Sequence, residues 1–519
     1  MSAFKDRVIV TTSGPVKGAT LEDIRGYLGI PYAAPPAGNL RWKPPISPEP
    51  WKEPRLMDSY GPACPQTEGL LTQKLGNIGE DCLTLNVWTS AKSEADSLPV
   101  MMFLHGGGFA RGRGSELMFN KPHLVKRGVV LVTINYRLGA LGFLAHPALT
   151  AESAHHSSGN YGIMDQIMSL RWIKENIRQF GGNPANVTVF GQSAGAASVI
   201  ALMTSPLSKG LFHRAIAMSG GYASPVVRHL SKNRNGLDSM ESLGIGFVEK
   251  LGVRNHDNPL EELRAMPWQE IVSAWEKTVQ NKQAATRVSG AWMLNHIIVD
   301  GYVLAQPPGK AFKAGEQHNV PFMAGSTADE GSIMPYLMNL FSMEKYHIYL
   351  ERCFGTEWQR VLELYPATDD TSAPKALSTL LGDCLVAGSR AVARGMSIIQ
   401  PKTYLYQFTM QPKVFVFQIP GVKDWQKEFG CYPAGELPYL FHFLPGSRVK
   451  AEDRKLSQDM MDCWVRFARN GDPNGDGAPH WPVYALPEEK HLILNNPIKV
   501  GQHLNTGVCD IIDGLANSE

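Results

Sequence analysis

The chain has 519 residues, 43% of them hydrophobic and 19% charged, the balance of a globular protein with a large buried core. A formal net charge of +2 excludes the strong basic excess of a nucleic-acid binder. Seven cysteines are an odd number without metal-type spacing, so at least one thiol stays unpaired.

Lys5, Asp6 and Arg7 leave no room for the apolar core of a secretory signal. The most apolar stretch, residues 128–145, contains Asn135, Tyr136 and Arg137 and falls short of a membrane span. The expectation is a cytoplasmic protein with no membrane anchor; the sequence leaves its oligomeric state open.

Short apolar or β-branched runs recur along the chain and predict strands at Leu83–Trp88, Val100–Leu104, Val129–Ile134, Val187–Phe190, Pro321–Ala324, Tyr404–Thr409 and Leu492–Leu494. Between them, Ile163, Ile167, Leu170, Ile173, Ile177 and Phe180 recur at helical spacing up to Gly181-Gly182. A second helix is predicted from about Leu456 to Ala468, stopped by Asn470-Gly471-Asp472-Pro473. Strands this apolar, alternating with helices, imply a mostly parallel sheet buried on both faces. One domain is expected over residues 1–519, with insertions between Ser193 and the C-terminus.

Two glycine motifs carry chemistry. After the strand Val100–Leu104 comes His105-Gly106-Gly107-Gly108-Phe109, a loop of the kind whose backbone N–H groups hold an acyl-transfer oxyanion. After Val187–Phe190 comes Gly191-Gln192-Ser193-Ala194-Gly195, followed by a helix-compatible run to Met203. A strand turning sharply into a helix lifts the serine Oγ above the sheet, and glycines at both flanks avoid backbone collisions. Neither motif is specific alone; together they point to a serine nucleophile beside an oxyanion hole.

Further motifs make the resemblance specific. Residues 27–42 (Tyr27 to Trp42), Glu80-Asp81-Cys82-Leu83-Thr84-Leu85-Asn86-Val87-Trp88, residues 160–166 (Asn160 to Gln166), Val299-Asp300-Gly301, Asp329-Glu330-Gly331-Ser332 and Trp464 to Asn474 are similar to type-B carboxylesterases over almost the whole length. The resemblance implies an α/β-hydrolase fold with insertions forming a gorge or lid. It also implies Ser193 as nucleophile, N–H groups of Gly107, Gly108 and Ala194 as oxyanion donors, and Glu330 as the acid that orients the base. Ser219 matches a serine that helps fix that acid, and Gln192 stands where many relatives carry Glu. Cys64 and Cys82 match a family disulfide; a reducing cytosol would leave them as thiols, and both states stay open.

One departure stands out. The family's base is a histidine three residues before the Glu of a Glu-Leu-Pro-Tyr segment. Here the segment is Pro433-Ala434-Gly435-Glu436-Leu437-Pro438-Tyr439, so proline, which cannot titrate, occupies the histidine position. Later histidines are His347, His442, His480, His491 and His503. His442 is nearest and reads as a packing residue beside Phe441 and Phe443, while His105 reads as a loop anchor.

Three functions remain open: an ester hydrolase with a replaced base, an enzyme for cyclisation, elimination or acyl transfer, and a non-catalytic binding protein of the neuroligin-like kind. A small hydrophobic ester or carbonyl substrate is expected, and no cofactor, since no phosphate loop, dinucleotide fingerprint or metal constellation appears. Tyr336 and Trp292 could line a gorge or belong to the core.

Overall fold

The computed structural model describes residues 8–511 except 22, 69–73, 121–122, 222–226, 234–237, 254–257, 281–296, 339, 355–356, 418, 420–421, 506 and 508. Among the described residues, thirteen strands form one continuous sheet. Its centre is seven parallel strands in the spatial order Val130–Ile134, Leu98–Leu104, Gly182–Gln192, Arg214–Met218, Phe322–Thr327, Thr403–Phe408 and Lys490–Leu494. Antiparallel strands extend both edges, from Thr84–Thr89 outward on one side and through Lys499–Gln502 on the other. All seven predicted runs are strands. Arg214–Met218 was not predicted, although it pairs with both Gly182–Gln192 and Phe322–Thr327.

Helices cover both faces, which is why the central strands are apolar throughout. The predicted helix is Tyr161–Asn176, tightened into a 3-10 turn at Ile177–Phe180 and ended by Gly181 at φ 79°. The later one spans Ala451–Asn470 and ends at Gly471 with φ 76°. The helix Ala373–Ser397 is long and apolar enough to cross a membrane by length and composition. Here it packs on the sheet: Ser389 Oγ donates to the carbonyl of Gly325, and the buried Arg390 pairs with Glu489 at 2.7 Å. Under the other face Phe103 meets Phe119, Phe190 and Phe441 edge to face or tilted, with centroids 4.6–5.1 Å apart.

Three neighbouring parallel strands end side by side, with Gln192 registered on Met218 and Met218 on Gly325. The segments that leave these carboxyl ends carry Ser193, Ser219 and Glu330. Ligands in open α/β sheets collect at this edge.

Candidate active site

Ser193 sits between the strand Gly182–Gln192 and the helix Ala194–Thr204, at φ 56° and ψ −120°. This strained backbone is held by a hydrogen bond from Ser193 N–H to the Met218 carbonyl at 2.9 Å. The flanking glycines are required by space. A Cβ on Gly195 would lie 2.0 Å from the Leu104 carbonyl oxygen, and one on Gly191 would lie 2.4 Å from that of Gly195. The sharp turn from strand to helix thus falls at Ser193, between Gly191 and Gly195.

The glycine loop lies against it. A Cβ on Gly106 would stand 3.3 Å from Ser193 Cβ. Gly107, at φ 111°, accepts from the N–H groups of Ala110 and Arg111. Gln66 clamps the loop from outside, its amide giving to and taking from the backbone of Gly112 at 2.9 and 2.8 Å. Among the described residues, the N–H groups of Gly107, Gly108 and Ala194 have no acceptor, so all three remain available to a ligand oxygen.

Glu330 lies fully buried beyond the strand Phe322–Thr327, its Oε1 accepting from the Thr327 N–H at 2.6 Å. Asp329 ties this turn to the segment that carries Pro433: its N–H donates to the Cys431 carbonyl, and its Oδ2 accepts from the Cys431 N–H at 2.7 Å. Nearby stands Glu436, also fully buried, with its Oε1 3.4 Å from the Ser219 hydroxyl. Ser219 therefore serves two carboxyls rather than Glu330 alone. Burial pushes Glu330 up to about 7, with its hydrogen bonds from Ser219 and Thr327 pulling the other way. Burial and the neighbouring Glu330 push Glu436 up to about 8. Two carboxyls this close cannot both ionise cheaply, so they titrate as a pair. Among the described residues, Glu330 Oε2, Glu436 Oε2 and the Tyr406 hydroxyl are buried without hydrogen-bond partners.

Ser193, the glycine loop and Pro433 line one cavity of about 180 Å³. Its remaining wall is largely apolar, with Met118, Phe119, Ile333, Met334, Phe415 and Phe417 prominent. A wider surface hollow of about 490 Å³ is lined by residues such as Lys250, Gln269 and Lys277. It contains neither elbow nor glycine loop, and the smaller cavity is the chemically equipped one.

The histidines sort as the sequence suggested. His442 bonds Ser457 Oγ through Nδ1 at 2.7 Å and packs edge-on to His123, and it does not line the cavity. His105 does: its Nδ1 bonds the Gly106 carbonyl at 2.8 Å, its ring stacks on Tyr136 at 4.3 Å, and burial drives it down to about 4. It is a neutral loop anchor at physiological pH. Tyr336 proves to be a packing residue outside the cavity lining, set against Phe341 and Phe429 with its hydroxyl on Glu428. Trp292 lies outside the described residues. Cys64 and Cys82 are buried free thiols in hydrogen-bond contact, which together with burial keeps Cys82 protonated. Sequence reasoning missed Glu436 as a site group, although it stands in the motif that exposed Pro433. It also missed Arg113 and Glu116 on the cavity wall, for which no motif gave a signal.

Comparisons with known proteins agree with this architecture. The model of the carboxylesterase family matches residues 5–512. Fumonisin B1 esterase of Sphingopyxis macrogoltabida is 34% identical over 513 residues, covering 96% of this chain and 88% of that one. Para-nitrobenzyl esterase of Bacillus subtilis (strain 168) is 32% identical over 510 residues, covering 95% and 96%. A solved structure of PNB esterase superimposes with a TM-score of 0.81 at 29% identity, over 98% of this chain and 100% of that one. With the family model spanning nearly the whole chain over an α/β-hydrolase sheet, the protein belongs to the carboxylesterase family as a serine hydrolase-like enzyme.

Proposed function

We propose that the chain hydrolyses a hydrophobic carboxylic ester with Ser193 as nucleophile and a base other than histidine. The observation that carries this reading is the shared cavity, where the strained serine, a glycine loop with free N–H groups and an apolar wall converge. A carbonyl held there would point its oxygen at Gly107, Gly108 and Ala194, whose donors stabilise the charge that develops in the transition state.

A serine hydroxyl needs a general base. In this proposal Ser193 Oγ bonds to the acyl carbon while its proton passes through water to the Glu330–Glu436 pair, which later returns it to the leaving alkoxide. A second water then releases the acid from the serine. The pair suits this task because its titration falls near neutral pH, where a general base works best. The buried, unbridged thiols are in keeping with a cytoplasmic setting.

A second reading draws on Pro433. A cavity that keeps the oxyanion donors but carries proline at the base position also suits cyclisation, elimination or acyl transfer on a carbonyl substrate, without hydrolysis. Hydrolysis of short and medium p-nitrophenyl esters by the native chain, Ser193→Ala and Pro433→His separates the two. Serine-dependent turnover by the native chain supports the hydrolase. An inactive native chain that gains turnover with Pro433→His supports the second reading. Failure of both, with no organophosphate labelling of Ser193, removes nucleophilic serine catalysis.

A further inference from the structure

The cavity wall carries one ion pair that the proposed hydrolysis does not use. Arg113 and Glu116 both line the cavity that contains Ser193. They lie on the stretch that follows the glycine loop, before the turn Leu117–Asn120. Arg113 Nε donates to Glu116 Oε1 at 3.1 Å, and the two side chains are only 13% and 20% exposed. The other guanidinium nitrogens are committed elsewhere: Nη1 to the Leu75 carbonyl and Nη2 to that of Lys74 at 3.3 Å. Three of the five guanidinium N–H groups are thus committed, and Arg113 acts as the clamp that fixes its partner.

Glu116 is different. Its Oε2 accepts from no described residue, although the side chain is mostly withdrawn from water. Burial raises its pKa, and Arg113 opposes that rise. A carboxylate oxygen in such a place is an acceptor only, and leaving it unpaired against a dry ligand costs a full desolvation penalty. Besides the reacting Ser193 and the neutral amide of Gln192, the described residues of the cavity offer no second carboxylate, and Met118, Met334, Leu337 and Phe415 are apolar and His105 is neutral.

We propose that Glu116 is a specificity-determining residue that accepts a hydrogen bond from a hydroxyl or ammonium group on the substrate bound at Ser193. The substrate class narrows from a hydrophobic ester to a hydrophobic ester bearing a donor group away from its carbonyl. This rests on the ester-hydrolase reading, and Glu116 acts on selection, not on bond breaking. A site built around a buried acceptor rejects the analogue lacking the donor more strongly than an apolar wall rejects a missing methylene. It rejects a carboxylate in the same place more strongly still, because like charges meet in a poorly solvated site.

The test uses p-nitrophenyl esters of heptanoic, 6-hydroxyhexanoic and 6-aminohexanoic acids and the half ester of adipic acid, which differ only at the far end. With the native chain, kcat/KM for the hydroxy and amino esters should exceed that for heptanoate by about tenfold or more, with the adipate ester poorest. In Glu116→Gln the ratio of amino to adipate ester should fall by about tenfold or more, and the preference of both donor esters over heptanoate should be lost. A loss shared equally by all four esters would mean a structural role only and overturn the proposal, as would unchanged ratios. Calorimetric binding of the same four esters to Ser193→Ala and to Ser193→Ala/Glu116→Gln separates this inference from the hydrolase reading. The same ranking in binding, lost with Glu116, upholds the donor site even if the native chain turns over none of them. No ranking in binding sinks it.

Discussion

Pro433 is buried on the wall of the cavity into which Ser193 opens, while the carboxyl expected to orient a histidine there, Glu330, keeps a buried Oε2 without a partner among the described residues. If Glu330 Oε2 faces position 433, an imidazole there would give it an N–H donor and leave the other ring nitrogen for the serine. The segment is tied down at Cys431, by Asp329 and by the thiol donating to the Phe408 carbonyl at 3.0 Å.

Pro433→His should consequently raise serine-dependent turnover of p-nitrophenyl butyrate. A positioned base contributes about 10²–10⁴-fold, and a gain at the lower end, about 10²-fold, is expected because the surrounding packing has adapted to proline. Steady-state rates and organophosphate labelling of Ser193 both report it. A folded variant that shows neither gain would mean that Glu330 does not face position 433.

The pH dependence of the native chain discriminates the proposed base. A base must be deprotonated to act, so kcat/KM should rise with pH through a midpoint between about 7 and about 8, where the Glu330–Glu436 pair titrates. Glu436→Gln removes the member of the pair that titrates higher, at about 8, and leaves Glu330 at about 7, so the midpoint should move to the lower end of that window. Rates measured from pH 5 to 9 decide it. A profile that is flat across this window, or unmoved by Glu436→Gln, would exclude the pair as the proton acceptor.

The same carboxyls link stability to pH in a direction opposite to that of paired surface acids. Their folded pKa values lie above the unfolded value of about 4.3, so between those limits the native state binds more protons than the unfolded chain. Stability then falls as pH rises. The contribution is complete below about pH 4 and is lost as pH climbs through about 7 to 8. Thermal midpoints should decline from pH 5.5 to pH 8.5, and Glu436→Gln should flatten that decline. Differential scanning calorimetry at constant ionic strength measures both, and parallel curves for the two proteins would refute the linkage.

The legibility of these features in the sequence follows from what each depends on. Strands such as Val130–Ile134 are buried on both faces, so burial is written into the run itself, and the elbow is legible because Gly191 and Gly195 answer to local collisions. Arg214–Met218 escaped because Ala215 and Ala217, a residue type depleted in strands, leave Ile216 as the one β-branched residue of the run. Glu436 and Glu116 escaped for a different reason. Nothing in a carboxylate's neighbours along the chain says whether it will be buried; Glu436 is buried by Ser219 and Tyr406, which lie far from it in sequence. Tyr336 shows the same limit, since Ile333, Met334 and Leu337 line the cavity while it turns toward Phe429.

The oxyanion loop gives a final prediction, resting on the difference between two adjacent glycines. At Gly107, φ is 111° and an added Cβ would lie 2.2 Å from the Arg111 carbonyl oxygen, which cannot yield without breaking the turn closed on the Gly107 carbonyl. At Gly108, φ is 61° and an added Cβ meets nothing within 4 Å. Alanine at 108 therefore pays only the left-handed backbone cost of about 1–2 kcal/mol, whereas alanine at 107 must also displace the loop. Gly107→Ala should lower turnover by about 10²–10³-fold, the usual cost of losing an oxyanion donor, and also lower the thermal midpoint. Gly108→Ala should retain most of the stability and the larger share of the activity. Equal losses in the two variants would show that the loop is not held by the contact at Arg111.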